Sequence, residues 1–207
     1  MAESPRRGPQ ARFTVEDITA AACRLADDDG LSAVSLAKVA GGLGLTTTAL
    51  YRYVDSKDAL IALMTDQAIG VPPSLDDLDW RRGVDTWVSE LWLRYTRHRW
   101  LTEVRVAGMP QHPNRLHWMN ALLLDLDRGA IDDPMHVALL LDSVARAFAA
   151  VDAPAGDDVP PPTWLPDAIR DRFPRLAQEL GRDWTDAAAE LTQAVETVLR
   201  GATRPAQ

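Results

Sequence analysis

Ser35–Lys57, SLAKVAGGLGLTTTALYRYVDSK, is the stretch whose reading decides the fold. Leu36, Val39, Ala40 and Leu43 recur at the three-and-four spacing of one helix face, and Leu50 with Val54 repeats it, which predicts two short amphipathic helices. Between them Gly41, Gly42 and Gly44 interrupt the pattern. Glycine reaches left-handed backbone angles at no steric cost, so the first helix can stop and turn sharply there. Leu45 re-enters the core. Thr46, Thr47 and Thr48 follow as N-cap and first-turn residues, offering hydroxyls and free backbone N–H groups where a helix end attracts phosphate. This is the pattern of a helix-turn-helix, whose second helix lies in the major groove of duplex DNA.

The chain of 207 residues has a formal charge of −8, which opposes phosphate binding for the molecule as a whole. Local charge decides the matter. Lys38, Arg52 and Lys57 against Asp55 give three minus one, +2, and both lysines of the chain lie in this segment. An acidic remainder repels DNA elsewhere and favours one docking orientation. Ahead of it, Arg6, Arg7 and Arg12 form a basic arm over residues 1–12, open to two readings: a segment following a groove or phosphate track, or a solvated tail.

The run LGLTTTALYRYVDSKDAL resembles the recognition-helix signature of TetR-type transcriptional regulators, over roughly Phe13 to Met64. The resemblance implies that Tyr51, Tyr53 and Lys57 bind DNA phosphates. Leu36 and Ala37 depart from it, standing where many relatives carry polar or basic side chains, and Lys38 is placed to reach a phosphate instead. The candidate DNA-binding residues are Ser35, Lys38, Thr46, Thr47, Thr48, Tyr51, Arg52, Tyr53 and Lys57. The expected fold is all-α: an N-terminal three-helix domain with the helix-turn-helix over 13–56, and a larger C-terminal helical ligand-binding and dimerisation domain over 57–207.

Around this centre the periodicity continues. Thr14 caps a first helix with Asp17 in the acidic place of a capping box, and Val15, Ile18, Ala22 and Leu25 line its apolar face. Asp27, Asp28, Asp29 and Gly30 end it, an acidic run read as solvated surface. Cys23, the single cysteine, sits among alanines as a small buried hydrophobe. Asp55 and Ser56 cap a fourth helix with Leu60, Leu63, Met64 and Gln67 inward, ended by Gly70 and the prolines Pro72 and Pro73. Trp80, Val84, Trp87, Leu91, Tyr95 and His98 predict a long helix, and Trp100 to Val106 a short piece before the break at Gly108-Met109-Pro110. Leu116, Met119, Leu123 and Leu126 mark another helix, and Val137, Leu141, Val144, Phe148 and Val151 one that opens at Pro134. After a loop over 153–162, helices are expected over Pro166 to Leu180 and through Trp184, Ala188, Leu191, Val195 and Val198.

Five of the seven tryptophans, Trp80, Trp87, Trp92, Trp100 and Trp118, fall in the middle of the chain with His98, His112 and His117. They suit either an apolar core or a small-molecule pocket, and the candidate effector-binding residues are Met64, Trp87, Leu91, His117, Trp118 and Leu141. Alanine clusters at Ala145, Ala147, Ala149 and Ala150, and at Ala187, Ala188, Ala189 and Ala194, suit close helix approach or generic helix filling. In proteins that this chain resembles, the equivalent helices pair as a four-helix bundle, which implies a homodimer. Its recognition helices must then lie about 34 to 36 Å apart, or a multiple of that. No catalytic, metal-ligating or dinucleotide pattern is present, so no cofactor is expected. The N-terminus lacks the apolar core of a signal peptide and no window holds eighteen consecutive apolar residues, so a cytoplasmic protein without a membrane partner is expected. The implied function is a ligand-responsive regulator, most simply a repressor released from operator DNA by a small apolar or aromatic effector. The alternative is a helical enzyme or interaction module that binds an apolar small molecule.

Overall fold

The computed structural model describes residues 13–105, 112–151, 162–179 and 186–202. Among them every regular element is helical. The basic arm 1–12, the Gly108-Met109-Pro110 break, residues 153–161 of the expected loop, and Trp184 lie outside the described residues. The chain divides into two compact units, one of residues 1–72 and 97–120, the other of residues 73–96 and 121–207.

In the first unit, α1 (Val15–Asp29) opens with the expected capping box. The Thr14 hydroxyl accepts from the Asp17 N–H at 3.1 Å, and the Asp17 carboxylate accepts from the Thr14 N–H at 2.9 Å. Each bond satisfies a donor that the helix start leaves unpaired. Ile18 and Ala22 are fully buried. Cys23 is buried as well, its Sγ 3.7 Å from the Met64 carbonyl, and burial pushes its thiol up to about 12. It is the inert small hydrophobe that its neighbours suggested.

After a 3-10 turn at Leu31–Ala33 come α2 (Leu36–Gly42), α3 (Thr47–Leu50) and α4 (Lys57–Ile69). The glycines of the corner divide their work differently from expectation. Gly41 and Gly42 belong to the last turn of α2, and only Gly44, at φ +66°, uses the left-handed freedom of glycine. Helix α3 is a single turn continued by residues 51–53, with the Tyr53 and Val54 N–H groups reaching back to the Leu50 carbonyl at 2.9 and 3.2 Å. On α4, Leu60 and Met64 are buried as expected, but Gln67 faces solvent and Asp66 goes inside. A carboxylate tolerates this because donors meet it there. Helix α1 packs on both α2 and α4, and α2 packs on α3.

The remaining helices are α5 (Trp80–Arg97), α6 (Pro113–Arg128), α7 (Pro134–Val151), α8 (Leu165–Arg172), α9 (Pro174–Glu179) and α10 (Ala187–Ala202), with a 3-10 stretch at Arg99–Glu103. On α5 the spacing holds for Val84, Trp87, Leu91 and Tyr95, all buried, whereas Trp80 is half-buried and His98 lies beyond the helix end. On α6 the buried stripe is turned from the expected one, to Trp118, Leu122, Asp125 and Leu126, with Leu116 exposed and Met119 and Leu123 half-buried. Two contacts turn it. The Trp118 indole N–H donates to the Gly70 carbonyl at 2.8 Å, and the Asp125 carboxylate, paired with Arg128, lies where a Cβ on Gly83 would stand.

On α7, Val137 and Leu141 are buried, but Ala138, Asp142, Ala145 and Ala149 replace Val144, Phe148 and Val151 as the other inward positions. Helix α10 lies against α7, and alanines permit that close approach. Its buried residues are Leu191, Val195 and Leu199. The helix expected over Pro166 to Leu180 is two, α8 and α9, because Pro174 lacks the N–H needed to continue the first and suits the start of the second. Helix α7 is the one described helix long and apolar enough, by length and composition alone, to cross a membrane.

The corner glycines make opposite predictions. Gly41→Ala and Gly42→Ala should each raise stability by up to about 1 kcal/mol, since both are helical and a Cβ there meets nothing within 4 Å. Gly44→Ala should lower stability by about 1 kcal/mol, because its φ is left-handed. Urea unfolding of the three variants gives the signs.

Candidate nucleic-acid interface

Three successive helices of the first unit open on a hydroxyl. Ser35 accepts from the Lys38 N–H at 3.2 Å, Thr46 from the Ala49 N–H at 3.2 Å, and Ser56 from the Ala59 N–H at 3.0 Å. Each cap stops the preceding loop from running into the helix. The capping oxygens of Ser35 and Thr46 are therefore already used as acceptors within the protein, and each hydroxyl retains a hydrogen to donate.

Inward from these caps lie Leu50 and Val54, at 0% and 2% exposure. Outward lie Lys38, Thr46, Thr48, Arg52 and Lys57, all exposed, while Ser35, Thr47 and Tyr53 are half-buried. Tyr51 leaves its ring 52% exposed although it is large and apolar. Within twelve residues, Thr46 to Lys57, one surface thus gathers threonine hydroxyls, two phenols, a guanidinium and an ammonium. The cations and hydroxyls suit phosphate, and Arg52 and the threonines near the helix start suit base edges.

Residues 18–64 match the sequence model of a family described as bacterial regulatory proteins, tetR family. Over that segment the chain is similar to the TetR family. The HTH-type transcriptional repressor DrrR1 of Streptomyces coeruleorubidus is 32% identical over 140 residues, 66% of this chain and 52% of that protein. The chain thus spans about half the length of this curated relative. In fold it resembles the Streptomyces coelicolor TetR family protein ActR, in a structure with actinorhodin, at TM-score 0.75 and 23% identity, covering 94% of this chain and 100% of that one. It also resembles BioQ, known from Mycobacterium smegmatis, in a structure with its double-stranded DNA operator, at TM-score 0.64 and 16% identity, covering 91% and 99%.

Outside the segment that matches the family model, and at its edge, the six candidate effector-binding residues separate. Trp87, Leu91 and Leu141 are buried together in the second unit, whereas Met64 and Trp118 are buried in the first and His117 is exposed.

Two aspartates of the first unit hold its parts together, and sequence reasoning missed both. Asp27, in the run read as solvated surface, brings one carboxylate oxygen within 2.8 Å of both His98 Nδ1 and the Trp100 indole N–H. Asp66 accepts from the Arg115 N–H at 3.1 Å, and its own carbonyl accepts from the Asn114 amide at 3.0 Å, so the end of α4 caps the start of α6. Their partners stand 71 and 49 positions away, and no local pattern reports them.

Asp27→Ala should lower stability by about 1–3 kcal/mol through the loss of the shared acceptor. Asp28→Ala, on the neighbouring exposed residue, should stay within about 0.5 kcal/mol. Equal losses in urea unfolding would show that the clasp at Asp27 contributes nothing of its own.

Proposed function

We propose that the protein is a ligand-responsive, sequence-specific DNA-binding transcriptional regulator, acting as a dimeric repressor that a small apolar or aromatic effector releases from its operator. The observation that carries this reading is the outward display of Thr46–Lys57 above the buried Leu50 and Val54, inside the segment that matches the TetR family. Similar proteins support it: DrrR1 is a transcriptional repressor, BioQ is seen with its operator, and ActR with actinorhodin. In this division of labour the arm 1–12 and residues 13–56 meet DNA in the cytoplasm, and residues 57–207 hold the effector and the second subunit.

Release follows from linkage. An effector that lowers operator affinity must itself bind more weakly to the DNA-bound protein, by the same factor, typically about 1–3 kcal/mol. We assign the transmission to α4, which starts at the DNA-facing Lys57.

Fluorescence anisotropy with duplexes selected from a random pool tests the DNA reading. Lys57→Ala and Tyr51→Ala should weaken binding to all sequences alike, and Lys57→Ala should reduce the salt slope by about 1. Arg52→Ala and Thr47→Ala should instead change which sequence is preferred, at about 1–3 kcal/mol per position. A chain without any salt-sensitive duplex affinity would refute the proposal.

The dimer reading rests on the outer side of α7. Met135, Leu139, Leu140 and Val151 are exposed there. Of the alanines, Ala145 and Ala149 turn into the protomer's own core, which leaves Ala147, Ala150, Ala188 and Ala189 outward. Sedimentation should give a dimer, converted to monomer by Leu139→Glu with Leu140→Glu. A wild-type monomer at the concentrations where DNA is bound excludes it.

A further inference from the structure

Between Phe13 and Asp66 the chain contains no asparagine, glutamine or histidine, and Glu16 is its only glutamate. For a surface that faces duplex DNA this composition is restrictive. In the major groove adenine is read by the bidentate amide of Asn or Gln, guanine by Arg or Lys, cytosine by a carboxylate, and thymine by apolar contact with its 5-methyl group. The amide reading is closed to residues 13–66. An A·T pair can therefore be recognised there only from its thymine side.

The side chains around α3 fit that restriction. Thr46 caps the helix, its hydroxyl accepting from the Ala49 N–H at 3.2 Å, so folding accounts for one threonine of the three. It does not account for the next two. Threonine is a poorer helix former than alanine or lysine, yet Thr47 and Thr48 fill the first turn, the one half-buried and the other exposed. Elsewhere on the helices Thr19, Thr65, Thr192 and Thr197 return their hydroxyls to the carbonyl four residues back, at 2.7, 2.8, 2.9 and 2.8 Å. The Thr47 and Thr48 hydroxyls have no hydrogen-bond partner among the described residues. At the end of α2, Gly41 and Gly42 are exposed and bare, with nothing within 4 Å of where a Cβ would stand. Apolar contact acts only within about 4 Å, and side chains this small do not hold a helix away from base edges. Arg52, exposed four residues after Thr48, is the only arginine between Ser35 and Lys57.

We infer that Thr47 and Thr48 read thymine methyl groups, and that the duplex this protein selects combines those thymines with a guanine read by Arg52. The inference rests on the DNA-binding reading above and adds the base chemistry to it. A threonine hydroxyl pairs with any base edge, so the discrimination lies in its methyl group. Bringing that methyl against the thymine methyl removes both from water, which is worth about fourfold in affinity per contact.

The test uses the duplex selected from the random pool, with each thymine replaced in turn by deoxyuridine, which pairs identically and lacks only the 5-methyl group. The change is made in the DNA, so the protein fold is untouched. Fluorescence anisotropy should show binding about fourfold weaker for at least one of these duplexes. That ratio should stay constant as salt is raised, although the affinity itself falls, because a methyl contact releases no counterion. Thr47→Ser and Thr48→Ser each keep the hydroxyl and delete one methyl, and each should bring the ratio at its own thymine close to one. Unchanged affinity at every deoxyuridine, or the same ratios in wild type and in both serine variants, overturns the inference. The regulator reading survives that result, because the parent duplex is still bound. Absence of salt-sensitive binding to any duplex removes both.

Discussion

A single turn of α-helix cannot hold itself together in water, and α3 is one turn long. Its direction comes from the burial of Leu50 at one end and of Val54 just beyond it, against the rest of the small N-terminal domain. With those two side chains fixed inward, the residues between and around them have no choice of face. Tyr51 and Arg52 must point out, as must the threonines at the helix start and the lysine after the next cap. The candidate nucleic-acid surface is thus a consequence of two apolar anchors and one left-handed glycine, Gly44.

Elsewhere the organising groups are carboxylates, three of them buried (Asp66, Asp125 and Asp142) and one, Asp27, at the surface. Taking one out of water is costly unless donors or a counter-charge meet it, so a buried carboxylate marks the place where such a group stands. Asp66 meets the backbone at the start of α6, and Asp27 meets the side chains of His98 and Trp100. Asp125 meets Arg128 over the bare Cα of Gly83, a position where any larger residue collides with it. Asp142 meets Tyr95 within the second unit. Apolar contact tolerates sliding, whereas the hydrogen bond from the Arg115 N–H to Asp66 fixes the start of α6 against the end of α4.

The outer side of α7 has the complementary problem. Several large apolar side chains stand in water there, while the charges of the same helix are spent inside. Exposed aliphatic area of this kind is normally covered by another protein surface. In the proposed dimer a second copy of the chain covers this area.

How much of this was legible in the sequence depended on the range of the interaction. Capping oxygens, helix-breaking prolines and the spacing of Val84, Trp87, Leu91 and Tyr95 act over four residues or fewer, so the helices, their starts and the TetR-like corner were readable from the chain alone. The same locality exposed the basic balance of Ser35–Lys57 inside an acidic protein. Tertiary structure alone decided which side of α6 and α7 turns inward and which acidic residues serve as acceptors for distant donors. The reason is physical: those outcomes depend on donors and close contacts contributed by residues some fifty to seventy positions away, such as Gly70 for Trp118 and Trp100 for Asp27. Hydrophobic periodicity reports that a helix has an inside, and the partners it meets determine where that inside lies.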